Sequence, residues 1–263
     1  MKNIFKMVSL LVLVLFSFFY TDRVMNFINK KDPLINKIDL LKDKYEVLPV
    51  NAVLDSNTII PGVKGKSVDL DKSYENMKVS GIFREDYLVY NDILPSEMLS
   101  NNMDKYIIGG NTSSNRVSLL VITNYDNIDK INNNNITIFL NHKDVSINNI
   151  KKINKNSIYT YGNNGIYSEE ILDNDNTIIN RISKNKSIYC LSMGKNNDTL
   201  SICNKKKMYV VIPSIVGDYL DIKNNLTNGS IILLNDMNNL DIIVKYINSK
   251  GYMIVPLEEL LTE

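Results

Sequence analysis

The stretch that decides the fold lies at residues 229–261 and reads GSIILLNDMNNLDIIVKYINSKGYMIVPLEELL. Its first apolar run predicts a buried strand over 231–234, which ends at the polar pair Asn235-Asp236. The helical spacing of the next apolar residues predicts a helix over 240–249. A Gly-Tyr turn then leads to a strand over 253–255 and a short helix. A strand, a helix and a strand in this order indicate a parallel α/β arrangement.

Upstream of this stretch, apolar runs alternate with segments of helical periodicity. Strands are predicted over 117–122, 136–140, 157–161, 188–191 and 209–212. Helices are predicted over 147–153, 168–182, 198–206 and 219–225. The alternation predicts a mostly parallel sheet with crossover helices, the α/β class. In such folds the side chains that bind or react lie at the carboxyl ends of the strands.

The last strand, helix and turn resemble the C-terminal segment of the polysaccharide deacetylases, the family of chitin and peptidoglycan deacetylases. In active members the strand ends in Leu-Leu-His-Asp, whereas here it ends in Leu233-Leu234-Asn235-Asp236. The resemblance implies a distorted (β/α) barrel for residues 111–263. It also implies that Asn235 stands where active members have a histidine that acts as a catalytic acid.

The motif after the family's first strand, Thr-Phe-Asp-Asp-Gly, supplies a base and a metal-binding aspartate in active members. Here Thr123 and Asn124 occupy those two places. Asp126 lies two residues further on and could be shifted into register, but a loop or helix-capping residue is the preferred interpretation.

The other family motifs are also altered. The His-x-x-x-His pair of metal ligands corresponds to 159–165, which contains Tyr161 and Asn163 but no histidine. In the third motif, Phe-Arg-Pro-Pro-Tyr-Gly, the arginine corresponds to Cys190, although Gly194 is retained. The fourth motif, an Asp-Trp-like element, resembles Asp218-Tyr219. The only histidine, His142, follows a different strand, where a surface or hydrogen-bonded structural role is preferred over a place in the groove.

Deacetylation of this kind needs a divalent metal that polarises an acetamide carbonyl, a carboxylate base, and a histidine that protonates the leaving amine. One histidine cannot supply two metal ligands and an acid, so the sequence predicts no catalytic residue, no metal ligand and no cofactor. The vestigial groove positions are predicted to be Thr123, Asn124, Asp126, Tyr161, Asn163, Cys190, Asp218, Tyr219, Asn235 and Asp236.

The N-terminus carries an apolar run, residues 7–20, after Lys2 and Lys6. It predicts a signal-anchor, or transmembrane helix, over 1–21, since bulky aromatic residues stand where a cleavage site would need small ones. A cleaved signal peptide is the alternative. A stalk is expected over 22–56 and a small α+β lead-in unit over 57–110, with strands at 58–60, 87–90 and 106–108 and a helix at 71–78.

Composition narrows the functional classes. Thirty basic and 29 acidic residues leave a net charge of +1, which argues against a nucleic-acid partner because such binding needs a concentrated basic face. Two cysteines, Cys190 and Cys203, are interpreted as small buried apolar residues, with a single disulfide as the open alternative.

Three functional hypotheses follow. The preferred one is a membrane-anchored, extracytoplasmic pseudoenzyme of the carbohydrate N-deacetylase type, which binds a cell-wall or surface glycan or regulates or scaffolds an envelope protein partner. The expected location is the cell membrane, with one pass. The second is a divergent deacetylase that uses carboxylates such as Asp126, Asp218 and Asp236. The third is a purely structural envelope domain.

Overall fold

The computed structural model describes residues 2–29, 32–153, 155–183 and 186–263; in its first helix, side chains are described at residues 7, 8 and 10–21. In this part of the chain the helices are α1 (Lys2–Asn29), α2 (Pro33–Leu41), α3 (Leu70–Met77), α4 (Ile147–Lys152), α5 (Glu169–Ile182), α6 (Asn197–Lys205), α7 (Tyr219–Asn225), α8 (Leu240–Ser249) and α9 (Leu257–Leu260).

The strands of the same part of the chain are β1 (Val53–Asp55), β2 (Thr58–Ile60), β3 (Gly65–Val68), β4 (Tyr90–Ile93), β5 (Tyr106–Ile107), β6 (Arg116–Thr123), β7 (Thr137–Leu140), β8 (Ser157–Thr160), β9 (Tyr189–Leu191), β10 (Tyr209–Val211), β11 (Ile215–Gly217), β12 (Ile231–Leu234) and β13 (Met253–Ile254). These helices and strands are divided between two compact units. The smaller unit is Met1–Pro49 with Lys64–Ile93, and the larger unit is Val50–Val63 with Leu94–Glu263.

The smaller unit has a core between α2 and α3. Leu34, Ile35 and Ile38 on α2 are buried together with Tyr74 and Met77 on α3. Helix α2 starts with proline at its first position, where the missing N–H costs nothing. Asp32 caps it by accepting from the Leu34 N–H at 2.8 Å and also accepts from the Tyr74 hydroxyl at 2.9 Å. Strands β3 and β4 pair antiparallel in this unit.

Helix α1 contains the residues of the predicted signal-anchor. From Met7 to Thr21, every side chain of α1 that the structure describes is exposed. Among the described residues, no helix is long and apolar enough to cross a membrane. Residues 30 and 31 of the predicted stalk lie outside the described residues.

The larger unit contains two sheets. One has the strand order β1-β2-β5-β10-β9, and the other has the order β11-β12-β6-β7-β8, with β13 paired to the start of β6. Apart from the antiparallel β1–β2 pair, these pairings are parallel. Helices α4 to α8 lie between successive strands in the chain, so the predicted α/β class is confirmed.

Side chains that alternate along the strands divide the core of this unit into two layers. Leu120 and Phe139 of one sheet share an apolar cluster with Tyr189 and Val211 of the other, so the two sheets face a common interior. Ile138 and its neighbours on the opposite face pack against the helices. The distorted (β/α) barrel implied by the resemblance stays a prediction: among the described strands of this unit, hydrogen-bonded pairing gives two sheets.

The compact units divide the chain differently from the predicted segments. Residues 50–63 and 94–110, which the prediction placed in a stalk and a lead-in unit, belong to the larger unit because β2 and β5 pair with each other and β5 pairs with β10. The position predicted for a strand at 87–90 was wrong. Glu85–Tyr87 forms a 3-10 turn, and the strand of this region is β4, which begins at Tyr90.

Candidate functional site

The strand ends of β8 and β9 meet where the two sheets adjoin. The rings of Tyr159 on β8 and Tyr189 on β9 lie edge to face with their centroids 5.3 Å apart. Just beyond β8, the buried Tyr167 contacts β9: its hydroxyl oxygen accepts from the Leu191 N–H, and its O–H donates to the Leu191 carbonyl, both at 3.0 Å. A side chain therefore provides hydrogen bonds at the carboxyl end of β9.

An open cleft of about 350 Å³ lies at these two strand ends. Its apolar lining comes from Ile166, Leu191 and Met193, and two glycines, Gly165 and Gly194, complete the backbone. Its polar side chains are Tyr161, Asn164, Ser192, Lys195, Asn196 and Thr199. Hydroxyl, amide and aromatic groups of this kind suit a polar organic ligand such as a sugar.

Tyr161 is the predicted groove residue that this cleft contains. Burial raises the pKa of its phenol above the ordinary value, so the hydroxyl is neutral near pH 7 and can donate or accept a hydrogen bond. Gly165 takes φ +84°, and a Cβ there would lie 2.9 Å from the Tyr161 hydroxyl oxygen. The loop after β8 therefore needs glycine to leave room for the tyrosine.

A hydrogen-bond network holds the base of that loop. Asp175 of α5, which is 1% exposed, accepts from His142 at 2.7 Å and from the hydroxyl of Thr160 at the end of β8. The Thr160 oxygen accepts in turn from the Gly162 N–H at 2.9 Å, and the Gly162 carbonyl accepts from the His142 N–H at 2.7 Å. His142 is thus a hydrogen-bonded structural histidine, the role that the sequence favoured.

The opposite wall of the cleft is held by a disulfide. Cys190 on β9 is bonded to Cys203 on α6, and both are fully buried. The prediction of two free apolar cysteines was wrong, and the open alternative is found. Cys190 was also predicted as a groove position, but its side chain points away from the interior that Tyr189 and Leu191 share, since neighbouring strand residues face opposite sides.

A second, smaller cleft of about 190 Å³ lies at the ends of β6 and β12. Asn235 and Asp236 line it, together with Asn127 and Lys130 from the 3-10 turn that follows β6. Asp236 also accepts from the Asn238 N–H at 2.8 Å. The predicted groove residues are therefore divided between two places, because Tyr161 lies at the other cleft.

The residues that replace the first family motif do not form a ligand cluster. Thr123 is buried, and its hydroxyl donates to the Asn124 carbonyl at 3.2 Å. The exposed Asn124 side chain accepts from the Asn127 amide at 3.2 Å. Asp126 is exposed in the 3-10 turn Tyr125–Lys130. Asn163, from the second motif, is exposed as well and does not line the cleft beside it.

The remaining predicted pair has local structural roles. Asp218 caps α7: its carboxylate accepts from the Leu220 N–H at 2.8 Å, and the Asp221 side chain accepts from the Asp218 N–H at 3.0 Å. The Tyr219 ring packs edge to face on Tyr246 of α8, with centroids 5.1 Å apart. Neither residue lines the two clefts described above.

These positions do not fit the divalent metal that the resembled family implies. Cys190 is in a disulfide, Asp218 caps a helix and Asp126 is exposed on a different strand end from Tyr161. Among the described residues, no group of three or more His, Cys, Asp or Glu side chains is placed to hold a metal ion.

Several residues of the site were missed from the sequence. Lys195 and Asn196 belong to the segment that matched the third family motif, and the retained Gly194 marked that loop. Asp175 lies in the apolar stripe of α5, between Leu172 and Ile179. A carboxylate on the buried face of an amphipathic helix needs a partner, and that position was the available signal.

A scan against models of known protein families finds no match. Among curated proteins, the uncharacterized protein YlxY of Bacillus subtilis (strain 168) is 38% identical over 92 residues, which are 35% of this chain. The matched stretch spans 29% of the length of YlxY.

Among solved structures, the wild-type form of BA3943, a CE4 family pseudoenzyme from Bacillus anthracis, aligns with a TM-score of 0.65. The alignment covers 89% of this chain and 96% of BA3943 at 19% identity. The chain shares the fold of BA3943. A BA3943 mutant described as having restored enzymatic activity aligns with the same TM-score at 20% identity, covering 88% of this chain and 99% of that one.

The fold extends to an enzyme of the same group. PdaA of Bacillus subtilis, a family 4 carbohydrate esterase, aligns with a TM-score of 0.50 and 17% identity, over 62% of this chain and 87% of PdaA. The resemblance drawn from the sequence, to a degenerate polysaccharide deacetylase, is thereby confirmed at the level of the fold.

Proposed function

We propose that this protein is a catalytically inactive, deacetylase-like glycan-binding protein that has a regulatory or scaffolding role at the cell envelope. The observation that carries the proposal is the cleft at the ends of β8 and β9. It keeps the strand-end position of an α/β site and a polar, partly aromatic lining, while the segment that corresponds to the family's two histidine ligands, 159–165, contains no histidine.

The chemistry of the lining supports a sugar ligand. The Tyr161 ring offers an apolar face with a hydroxyl, and the Asn164 and Asn196 amides offer both donors and acceptors to sugar hydroxyls. The exposed apolar side chains of Ile166 and Met193 at the same cleft suit the C–H face of a pyranose. The chain has no tryptophan, so Tyr161 is the aromatic platform of this cleft.

Two further features support an extracytoplasmic, membrane-attached location. A disulfide such as Cys190–Cys203 forms and persists in oxidising compartments. Helix α1 carries exposed apolar side chains from Leu10 to Phe16 and from Phe18 to Tyr20, after the basic residues Lys2 and Lys6, which supports attachment to a membrane although no described helix is long and apolar enough to cross one. An envelope protein partner would then reach the domain from the same side of the membrane.

The first experiment measures binding and turnover together, on the full chain kept in solution with a detergent that has no sugar head group. The protein is incubated with zinc, cobalt or manganese and with N-acetylglucosamine oligomers. Acetate release, bound metal and oligomer affinity are measured. The proposal expects no acetate release, no stoichiometric metal, and saturable oligomer binding.

A matched pair of variants locates the binding. Tyr161→Leu removes the aromatic group from the cleft and is expected to weaken oligomer binding about five- to thirtyfold, since a stacked ring contributes on the order of 1–2 kcal/mol. Tyr87→Leu changes a tyrosine of the smaller unit and is expected to leave binding unchanged. Acetate release with one bound metal per chain would instead favour a divergent deacetylase, and no binding or turnover would favour a structural envelope domain.

A further inference from the structure

The charge of the cleft at the ends of β8 and β9 is positive. Among the described residues that line it, Lys195 is the only charged side chain, and no carboxylate is present. Lys195 is exposed and has no ion pair among the described residues, whereas Lys205 and Lys206 at the other end of α6 pair with Glu169. The ammonium of Lys195 therefore remains available to a ligand.

The groups beside Lys195 also favour a negatively charged ligand. Asn196 uses its side-chain oxygen to accept from the Asp198 and Thr199 N–H groups, at 3.0 and 3.1 Å. Its NH₂ group is what remains to donate to a ligand. Helix α6 begins at the same place, and its dipole directs positive potential toward the cleft, which Asp198 in the first turn offsets in part.

We propose that this cleft prefers a sugar that carries a negatively charged substituent, a carboxylate or a phosphate, which Lys195 contacts. The inference rests on the proposed glycan-binding function and specifies its ligand. A lysine ammonium has three donors and no acceptor, so it distinguishes an anion from a neutral hydroxyl through charge. The contact is exposed to solvent, so we expect about a fivefold preference at low salt.

The test measures affinity by calorimetry on the full chain in the same detergent. A neutral N-acetylglucosamine tetramer is compared with a tetrasaccharide in which N-acetylglucosamine alternates with glucuronic acid. N-acetylglucosamine is compared in parallel with N-acetylglucosamine 6-phosphate. These two arms separate a carboxylate preference from a phosphate preference. Either preference should decrease when sodium chloride is raised from about 20 to 500 mM, since salt screens the exposed charge.

Two variants with the same change in net charge complete the test. Lys195→Gln should bring the ratio of charged to neutral affinity close to one, whereas Lys205→Gln, on α6 but outside the cleft, should leave the ratio as in the parent chain. Equal affinities for charged and neutral sugars, or equal effects of the two substitutions, would overturn the inference while leaving glycan binding intact. Absence of binding to any of the sugars would overturn both the inference and the proposed function.

Discussion

His142 and Asp175 form a partly buried pair at the base of the candidate cleft. The His142 Nδ1 and Asp175 Oδ1 atoms lie 2.7 Å apart, and the side chain of Asp175 is 2% exposed whereas that of His142 is 43% exposed. The second carboxylate oxygen accepts from Thr160. The pair thereby connects the segment after β7, the end of β8 and helix α5, and it sets the position of the loop that contains Tyr161.

Replacing Asp175 with alanine is expected to lower the free energy of unfolding by about 2–4 kcal/mol. The substitution leaves the buried Thr160 hydroxyl and the His142 ring without their partner, and unsatisfied buried polar groups are costly. Urea unfolding followed by circular dichroism measures the change. Asp173→Ala on the same helix is the control: Asp173 is exposed and pairs with Lys206, so a loss below about 1 kcal/mol is expected. Similar losses for the two variants would contradict a structural role for the buried pair.

The disulfide is expected to contribute about 3 kcal/mol to stability. Cys190 and Cys203 are 13 positions apart, and a crosslink that closes a loop of this length restricts the unfolded chain by about that amount. The double variant Cys190→Ala, Cys203→Ala should unfold at lower urea than the oxidised parent chain. Adding a reductant should lower the parent's midpoint and leave the double variant unchanged. If the reductant lowered the urea midpoint of the parent chain and of the double variant equally, its effect would not come from the Cys190–Cys203 disulfide.

The sequence predicted the helices and strands of the larger unit well, because their periodicity is local. Helices α7 and α8 and strand β12 have the predicted limits, and Tyr161, Asn235 and Asp236 follow the ends of β8 and β12 and line clefts there. Contacts between residues that are far apart in the chain could not be predicted from the sequence. The pairing of β2 with β5 assigned residues 50–63 and 94–110 to the larger unit, and no local pattern records that pairing.

The same limit applies to the site. The family positions were identified one strand end at a time, so they were expected to share one groove, and the structure divides them between two clefts. The direction of Cys190 depends on strand alternation relative to the core, which the sequence motif did not show. The role of Asp175 could not be predicted without knowing which face of α5 is buried. It also depends on the positions of His142 and Thr160, which lie opposite that face.

Glycine at position 165 is expected to be required for the shape of the cleft. An alanine there would be in the left-handed region, at a cost of about 1–2 kcal/mol, and its Cβ would displace the Tyr161 hydroxyl. Gly251 has nearly the same φ, +82°, with no atom within 4 Å of a Cβ. Gly251→Ala should therefore lose similar stability and keep the parent's sugar affinity, whereas Gly165→Ala should lose both. Unchanged sugar affinity in Gly165→Ala would argue against Tyr161 as part of the binding site.

Asp218 is expected to act through the helix that it caps. Asp218→Ala should lower the free energy of unfolding by about 1 kcal/mol, because α7 loses its capping box, while Asp218→Ser should keep most of that stability. Both variants should bind sugar like the parent chain. Asp126→Ala, at an exposed position, should change stability by less than about 0.5 kcal/mol. If the parent chain does release acetate, loss of that release in Asp218→Ser would instead identify the carboxylate as part of a divergent active site.

The buried tyrosines are expected to make the fold sensitive to alkaline pH. Burial raises the pKa of Tyr159, and the nearby Glu258 carboxylate raises it further; burial likewise raises the pKa values of Tyr167 and Tyr189. In the unfolded chain these phenols titrate near pH 10. Below that pH the folded and unfolded states bind the same protons, so these groups give no pH dependence there. As the pH rises above 10, only the unfolded state loses the protons, so the stability must fall.

Tyr159→Phe separates this effect from other alkaline damage. It removes the hydrogen bond to Glu258, which is 3.1 Å long, and should lower the free energy of unfolding at pH 8 by about 1–2 kcal/mol. Between pH 10 and 11.5 the variant should lose stability less steeply than the parent, by about 1.4 kcal/mol per pH unit, because one fewer proton is released on unfolding. Urea titrations across this range, with recovery at pH 8 as the test of reversibility, measure both quantities. Parallel pH profiles for the two proteins would contradict suppressed ionisation of Tyr159 in the folded core.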